Sequence, residues 1–311
     1  MTALPTGTDA RPAGAAHGRC GRRRGRGVLH YAAMSEAGSL QAATYDSAAR
    51  RAPLVRELVE VVRYRDLLGL LISNITKSRY KRSALGVVWT LLNPLLNMAV
   101  LTFAFSHMFR FSLVHYPVYV LSGLILWNFF TQTTTYAMST LVWGGGLLKR
   151  IYLPRSIFAV ASIGNGLVNL LLSLIPLLAI ILIVGHPVHL TWWFVPLAVL
   201  LLAMFSLGVA LLMSALAVFF ADVVEMYAVF VQVWFFLTPV MYPKEMLPAR
   251  FVWYLNLNPV YNLLELFRVP IYNGTIPGPH TIIAAVASAV VSLLLGWWAF
   301  ASKADELAYR V

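Results

Sequence analysis

A single cysteine, Cys20, in 311 residues excludes an intramolecular disulfide and any multi-cysteine metal cluster. Formal charge is equally scarce. Asp, Glu, Lys and Arg make up 12% of the chain, about half the share of a soluble domain, which is roughly 25%. No G-x-x-x-x-G-K-[ST] loop occurs, so ATP phosphates cannot be cradled by that route, and no H-E-x-x-H pair is present. Acids are nearly missing from the apolar runs; Asp222 and Glu225 are the exceptions, at a tight turn. A proton-coupled transporter would want an ionisable group near mid-membrane. No catalytic residues and no metal site are therefore expected.

What is there is apolar. The hydrophobic share is 59%, too much for one soluble core of this length to hide. The expected solvent is a bilayer. The net charge of +12 does not read as a nucleic-acid footprint, because 15 of the 24 Lys and Arg precede Ala84 and the rest sit in short connections.

The stretch Arg79-Tyr-Lys-Arg82 sets the boundary. Cations stay at headgroup level while the chain behind them, without formal charge until Arg110, enters hydrocarbon. Residues 1–50 are rich in Gly, Ala and Arg and lack apolar periodicity, which predicts a disordered basic tail. Met34 is an alternative start, and a polybasic arm on anionic lipid is the functional reading of the same tail. The transmembrane domain is expected over 51–311. Within it, Leu54, Leu58, Val61, Val62 and Leu68 recur at helical spacing opposite Arg56, Glu57, Glu60 and Arg63. That pattern predicts an amphipathic interface helix over 53–70.

Six spans follow by apolar length, at about 84–109, 118–142, 157–184, 193–219, 223–242 and 281–301. The segment 243–280 carries Lys244, Glu245, Arg250, Glu265 and Arg268 and is broken by Pro243, Pro248, Pro259 and Pro270. Short re-entrant helices are expected there. The fold class is thus an all-α integral membrane protein. With the N-terminus inside, 20 of the 24 cations lie on the inner side, which predicts two cytoplasmic termini.

Polar residues inside the spans are the candidate site. Trp89, Asn93 and Asn97 share one helical face, and amides there should face protein or a water-filled path. Trp127, Asn128, Thr131 and Gln132 mark the second span; Tyr227, Gln232, Trp234 and Thr238 mark the fifth. Rings mixed with amides suit sugar contact, and they suit interhelical packing equally. The connection 144–155 is cationic and amphipathic, fit either to dock a partner or to anchor topology. The histidines His107, His115, His186, His189 and His280 fall at span ends, where no ligand role is implied.

The motif Arg79-Tyr-Lys-Arg-Ser-x-Leu-Gly-x-x-Trp-x-x-Leu-Asn-Pro-Leu resembles the entry of the type-two ABC exporter permeases that export polysaccharides (O-antigen, capsular polysaccharide, teichoic acid). So do Leu121-Ser-Gly-Leu-Ile-Leu-Trp-Asn-Phe-Phe130, Leu148-Lys-Arg-x-x-Leu-Pro-Arg155, Leu237-Thr-Pro-Val-Met-Tyr-Pro243, and Asn256-Leu-Asn-Pro-Val-Tyr-Asn262 followed by Arg268. The likeness covers roughly 53–308. Phe219-Phe-Ala-Asp222 departs from it, since an Arg before the Asp would be expected.

The resemblance implies a homodimer of six-span subunits in the bacterial inner membrane, joined by two copies of a separate ABC-type ATPase that uses ATP and Mg; this chain needs no cofactor. It implies ATPase coupling through Arg56, Glu57, Glu60, Leu147, Leu148, Lys149, Arg150, Tyr152, Pro154 and Arg155. It puts Trp89, Asn93, Asn97, Trp127, Tyr227 and Trp234 along the substrate path. The cargo implied is a glycan on polyprenyl diphosphate, with Lys77, Arg79, Lys81 and Arg82 placed to attract the diphosphate. An exporter of a drug or small lipid on the same fold is the alternative; a membrane-embedded transferase or flippase working without ATP is the rival from another class, and a passive scaffold is a third.

Overall fold

The computed structural model describes residues 59, 61–80, 86, 88–108, 115–143, 156–248, 250 and 252–303. Among them there are helices and no strands. The expected interface helix falls partly outside this set: Arg56, Glu57 and Glu60 are not described. What is described continues further than predicted. Helix α1 spans Arg65–Tyr80 and opens with Asp66, an acid suited to a helix N-terminus. It packs on the third long helix, where Gly164 faces the Ile72 side chain so closely that a Cβ would collide with it.

Helix α2 spans Val88–Phe103 and runs on as a π-turn over Ala104–Met108. Its entry is a turn at Gly86, whose φ of +46° favours glycine. Pro94 sits inside α2, a placement that membrane helices tolerate. Helix α3, Tyr116–Trp143, has 28 residues and no formal charge. It is the central post, packed against α2 and against the later helices α4, α5, α6 and α8. Helix α4 spans Ser156–Val184. A 3-10 turn at Leu190–Phe194 leads into α5, Val195–Phe219, with Pro196 in its first turn, where a missing N–H costs nothing. Helix α6 follows at Val223–Leu237.

The segment after α6 is broken as expected. A 3-10 turn at Lys244–Met246 precedes α7, Val252–Leu257, and α8, Pro259–Arg268. A π-turn over Val269–Asn273 ends at Gly274 with φ +68°. Helix α9, Pro279–Ser302, closes the described chain. It lies against α5 with glycine on both helices at the contact. A Cβ at Gly296 would strike the Gly208 carbonyl, and one at Gly208 would strike the Ser292 backbone. The Ser292 hydroxyl donates to Phe205 O across the same seam at 3.1 Å. Small residues and a hydroxyl let two membrane helices meet without a hydrophobic driving force.

Among the described residues, four helical stretches are long and apolar enough to cross a membrane: Val88–Ser106, Ser156–Val184, Leu190–Phe219 and Pro279–Ser302. Helix α3 has the length but carries Thr131, Gln132, Thr133, Thr134 and Thr135 at its middle. Helix α6 corrects the predicted span 223–242. It stops at Leu237 after 15 residues, about 22 Å of helix against a hydrocarbon core of about 30 Å. Thr238 turns extended, as the residue before a proline does.

The carbonyls freed beyond α6 are met from elsewhere. Arg268, 2% exposed, donates from Nη1 to Pro239 O at 2.9 Å and from Nη2 to Val240 O at 2.7 Å. Its guanidinium lies 3.8 Å above the Tyr119 ring. The Tyr116 hydroxyl donates to Met241 O at 2.6 Å and the Tyr119 hydroxyl to Tyr242 O at 3.2 Å. Asn258 donates to Thr238 Oγ1 at 3.0 Å, while its Oδ1 caps α8 through the amides of Val260 and Tyr261 and also accepts from Trp234 Nε1. Gly123 leaves the room that the Arg268 guanidinium and Val240 O occupy. Three of the motifs singled out by resemblance therefore meet in one polar knot.

Candidate functional site

A cavity of about 580 Å³ opens between α2, α3 and α4. Helix α2 contributes Trp89, Thr90 and Asn93, α3 contributes Asn128 and Gln132, and α4 contributes Asn169 and Ser173. Phe129, Leu170 and Pro94 supply apolar wall. Among the described residues, no formally charged side chain lines it. Its chemistry is one indole, several amides and hydroxyls: a lining that can bond hydroxyl-rich, uncharged groups and has no complement for a free anion. Amides facing hydrocarbon are unfavourable, so their convergence on one cavity from three helices answers where they go.

The six predicted path residues divide into two groups. Trp89, Asn93 and Asn97 are exposed on α2. Trp89 and Asn93 reach the cavity; Asn97 sits one turn on, its amide donating to Asn93 O at 2.9 Å and to Asn93 Oδ1 at 2.7 Å. Trp127, Tyr227 and Trp234 instead pack between α3 and α6. The Trp127 and Trp234 rings stand perpendicular with centroids 6.4 Å apart, and Phe130 meets Trp234 edge-on at 5.6 Å. The Tyr227 hydroxyl, buried, donates to Thr134 Oγ1 at 2.8 Å. Within the protomer Trp127 and Trp234 pack on each other while Tyr227 bonds Thr134 and Trp234 Nε1 bonds Asn258, in line with the packing alternative that the sequence left open.

Lys77 is exposed on α1, and the Arg79 backbone closes that helix. Lys81 and Arg82 lie outside the described residues, as do Leu147, Leu148, Lys149, Arg150, Tyr152, Pro154 and Arg155. The Thr76 hydroxyl lies 2.8 Å from Ile72 O and 3.0 Å from Asn165 Oδ1, tying α1 to α4. Sequence reading missed the α4 contribution altogether. Asn165, Asn169 and Ser173 repeat on α4 the i, i+4, i+8 spacing that marked Trp89, Asn93 and Asn97, so the signal was present. Among the described residues no group of three or more His, Cys, Asp or Glu is arranged to hold a metal ion.

Comparison with known proteins places these features. The family model described as ABC-2 type transporter matches residues 66–272, from the start of α1 to the π-turn after α8. The O-antigen export system permease protein RfbA of Myxococcus xanthus is 30% identical over 263 residues, covering 83% of this chain and 100% of that protein. A protein of the same description from Klebsiella pneumoniae is 27% identical over 212 residues, 68% of this chain and 82% of that protein. The polysialic acid transport protein KpsM of Escherichia coli is 20% identical over 235 residues, 74% of this chain and 91% of that protein. With its long apolar helices and a family match over most of its length, the chain belongs to the ABC-2 type transporter family and is a multi-pass membrane protein.

Proposed function

We propose that two copies of this chain, joined to two copies of a separate ABC-type ATPase, form the path that exports a polyprenyl-diphosphate-linked polysaccharide across the bacterial inner membrane. The observation that carries the reading is the match to a permease of O-antigen export along that relative's whole length. Six spans suit it, with α3 and the short α6 as the second and fifth. Both termini are then cytoplasmic, the side favoured by the cation count.

Two faces support assembly. Helix α2 leaves Leu96, Val100 and Phe103 exposed, and α6 leaves Met226, Val229, Phe230, Val233 and Phe236 exposed. In a dimer these faces enclose a path between copies. Trp89, Asn93 and Asn97 then stand at its wall, and Trp127, Tyr227 and Trp234 hold that wall in shape. The cavity between α2, α3 and α4 offers amides to sugar hydroxyls. Lys77, Arg79, Lys81 and Arg82 attract the diphosphate at the inner surface.

Motion comes from the partner. ATP and Mg, bound by the ATPase, close its dimer. The segment 144–155, with Leu147, Leu148, Lys149, Arg150, Tyr152, Pro154 and Arg155, and the N-terminal Arg56, Glu57 and Glu60 receive that movement. The test is depletion of the chain in cells, with extraction of inner-membrane lipids. Polyprenyl-linked glycan should accumulate while surface polymer is lost. Normal surface polymer with no carrier build-up would remove the glycan cargo and favour a drug or small-lipid cargo on the same fold.

A further inference from the structure

Three histidines from separate segments meet at the end of the bundle that holds the start of α3 and the end of α4. His115 precedes α3 with a φ of +58°, a strained conformation for a residue with a side chain. His186 follows α4, and His189 precedes the 3-10 turn. The His115 and His186 rings meet edge-on at 5.0 Å, and His186 and His189 do so at 6.0 Å. His186 is the buried member, 7% exposed. Its Nε2 donates to Ile271 O at 3.1 Å, which fixes the proton on Nε2. Its Nδ1 is buried without a hydrogen-bond partner.

The ring also stacks on Tyr272 with centroids 5.4 Å apart. Tyr272 meets Tyr119 edge-on at 5.4 Å, and Tyr119 carries the Arg268 guanidinium. Thr191 donates to Pro270 O at 2.8 Å beside it, and Gly274 leaves the space that the His189 ring fills. The His186 loop is thus one of the holds on the π-turn Val269–Asn273, beside α8 and the core packing of Ile271.

Most of the side chains facing His186 make a second proton costly. From the approach to α3 comes His115; from its own loop, His189; from the π-turn, the neutral phenol of Tyr272; from α8, one ring further away, the Arg268 cation. The Glu265 carboxylate lies beyond Arg268, 4.0 Å from its Nη1, and does not touch the cluster. A proton on Nδ1 would place a new N–H at a buried nitrogen that has no hydrogen-bond partner in the neutral ring, beside two further imidazoles and ahead of a fixed cation. Burial holds the His186 imidazole below its ordinary value, with His115 and His189 acting in the same direction and the backbone bonds at Ile271 and Tyr272 opposing.

We propose that His186, with His115 and His189, is an acid-sensitive latch. Neutral, it clasps the π-turn to α3 and α4; once the cluster gains protons in mildly acidic surroundings, the 269–274 segment lets go. The orientation proposed above puts this end on the outer side, where it would sense external pH; the latch itself stands without that orientation.

The full chain in lipid nanodiscs tests it by hydrogen–deuterium exchange from pH 7.5 to 5.0, corrected for the intrinsic pH dependence of exchange. Peptides covering 269–276 should lose about tenfold in protection over one unit of pH, the factor one pKa unit carries, while the α5–α9 seam stays protected. His186→Gln keeps a donor for Ile271 O but cannot titrate, so its protection should be independent of pH. Where that variant does not fold, His115→Gln/His189→Gln removes both flanking charges and should move the midpoint to higher pH. Equal protection across the pH range in the natural chain overturns the latch. So does an unchanged acid response in His186→Gln, or an unmoved midpoint in the double variant.

Discussion

Arg268→Met is the sharpest perturbation of this fold. The guanidinium donates to Pro239 O and Val240 O in a site with almost no exposure. Methionine fills much of the volume and donates nothing. Each carbonyl left without a partner costs roughly 1–3 kcal/mol. The lost contact with the Tyr119 ring adds about 1–2 kcal/mol in a desolvated place. Relief of the arginine's own desolvation offsets part of this. A net loss of about 3–5 kcal/mol is expected, read as a lower thermal midpoint of the purified chain in detergent or nanodiscs. Arg268→Lys should lose less, since an ammonium reaches one carbonyl well but lacks the planar fork that reaches both. The geometry also predicts coupling. A Cβ at Gly123 collides with the guanidinium and Val240 O, so Gly123→Ala should be costly in the natural chain and cheaper beside Arg268→Met. The double-mutant cycle should return an interaction of at least about 0.5 kcal/mol. A midpoint for Arg268→Met within one degree of the natural chain, or strict additivity with Gly123→Ala, would refute the knot as described.

The seam between α5 and α9 makes a steeper prediction: Gly296→Ala forces its methyl onto the Gly208 carbonyl, which no rotamer relieves, and should cost about 1–3 kcal/mol, seen as reduced folded yield and midpoint. Tyr227→Phe removes one buried hydroxyl bond to Thr134 and should cost about 1 kcal/mol, measured by the same unfolding assay, with Thr134→Val adding little on top. The His186 loop gives the pH sign. Its folded value lies below the ordinary 6.5, so the unfolded chain binds the proton more readily. The contribution of His186 to stability is full above about pH 6.5 and is lost as pH falls through the lowered folded value. Midpoints of the natural chain should drop over that window more than those of His186→Gln.

The helices were legible because apolar run length is a local property, and the start of α4, α5 and α9 each fell within two or three residues of the expected boundary. The end of α6 was not. An apolar run continues through Val240 and Met241, and apolarity does not reveal that Pro239 bends the chain there. The knot was half legible. Its residues stand in motifs visible in the chain, but Arg268 and Pro239 are 29 positions apart and Tyr116 and Met241 are 125 apart, a pairing that no local pattern encodes. Trp127 and Trp234 show the same limit, because a ring in a span reads alike whether it meets sugar or another ring. The α4 stripe of Asn165, Asn169 and Ser173 carried a readable spacing inside a run so apolar that it was taken as plain span.

The shortness of α6 has a consequence for the hydrophobic height of the protomer. A 15-residue helix falls some 8 Å short of the hydrocarbon core by the usual rise and thickness, and the chain completes the distance with the bent backbone of Thr238 to Tyr242. That backbone is tolerable at such depth because Arg268, Tyr116, Tyr119 and Asn258 supply the donors that lipid cannot. Here the arginine works as a fork of N–H groups more than as a net charge. In the six-span arrangement proposed above, α6 is therefore the short member and α4, with 29 residues, the long one, so the hydrophobic height of the protomer differs between its α6 side and its α4 side.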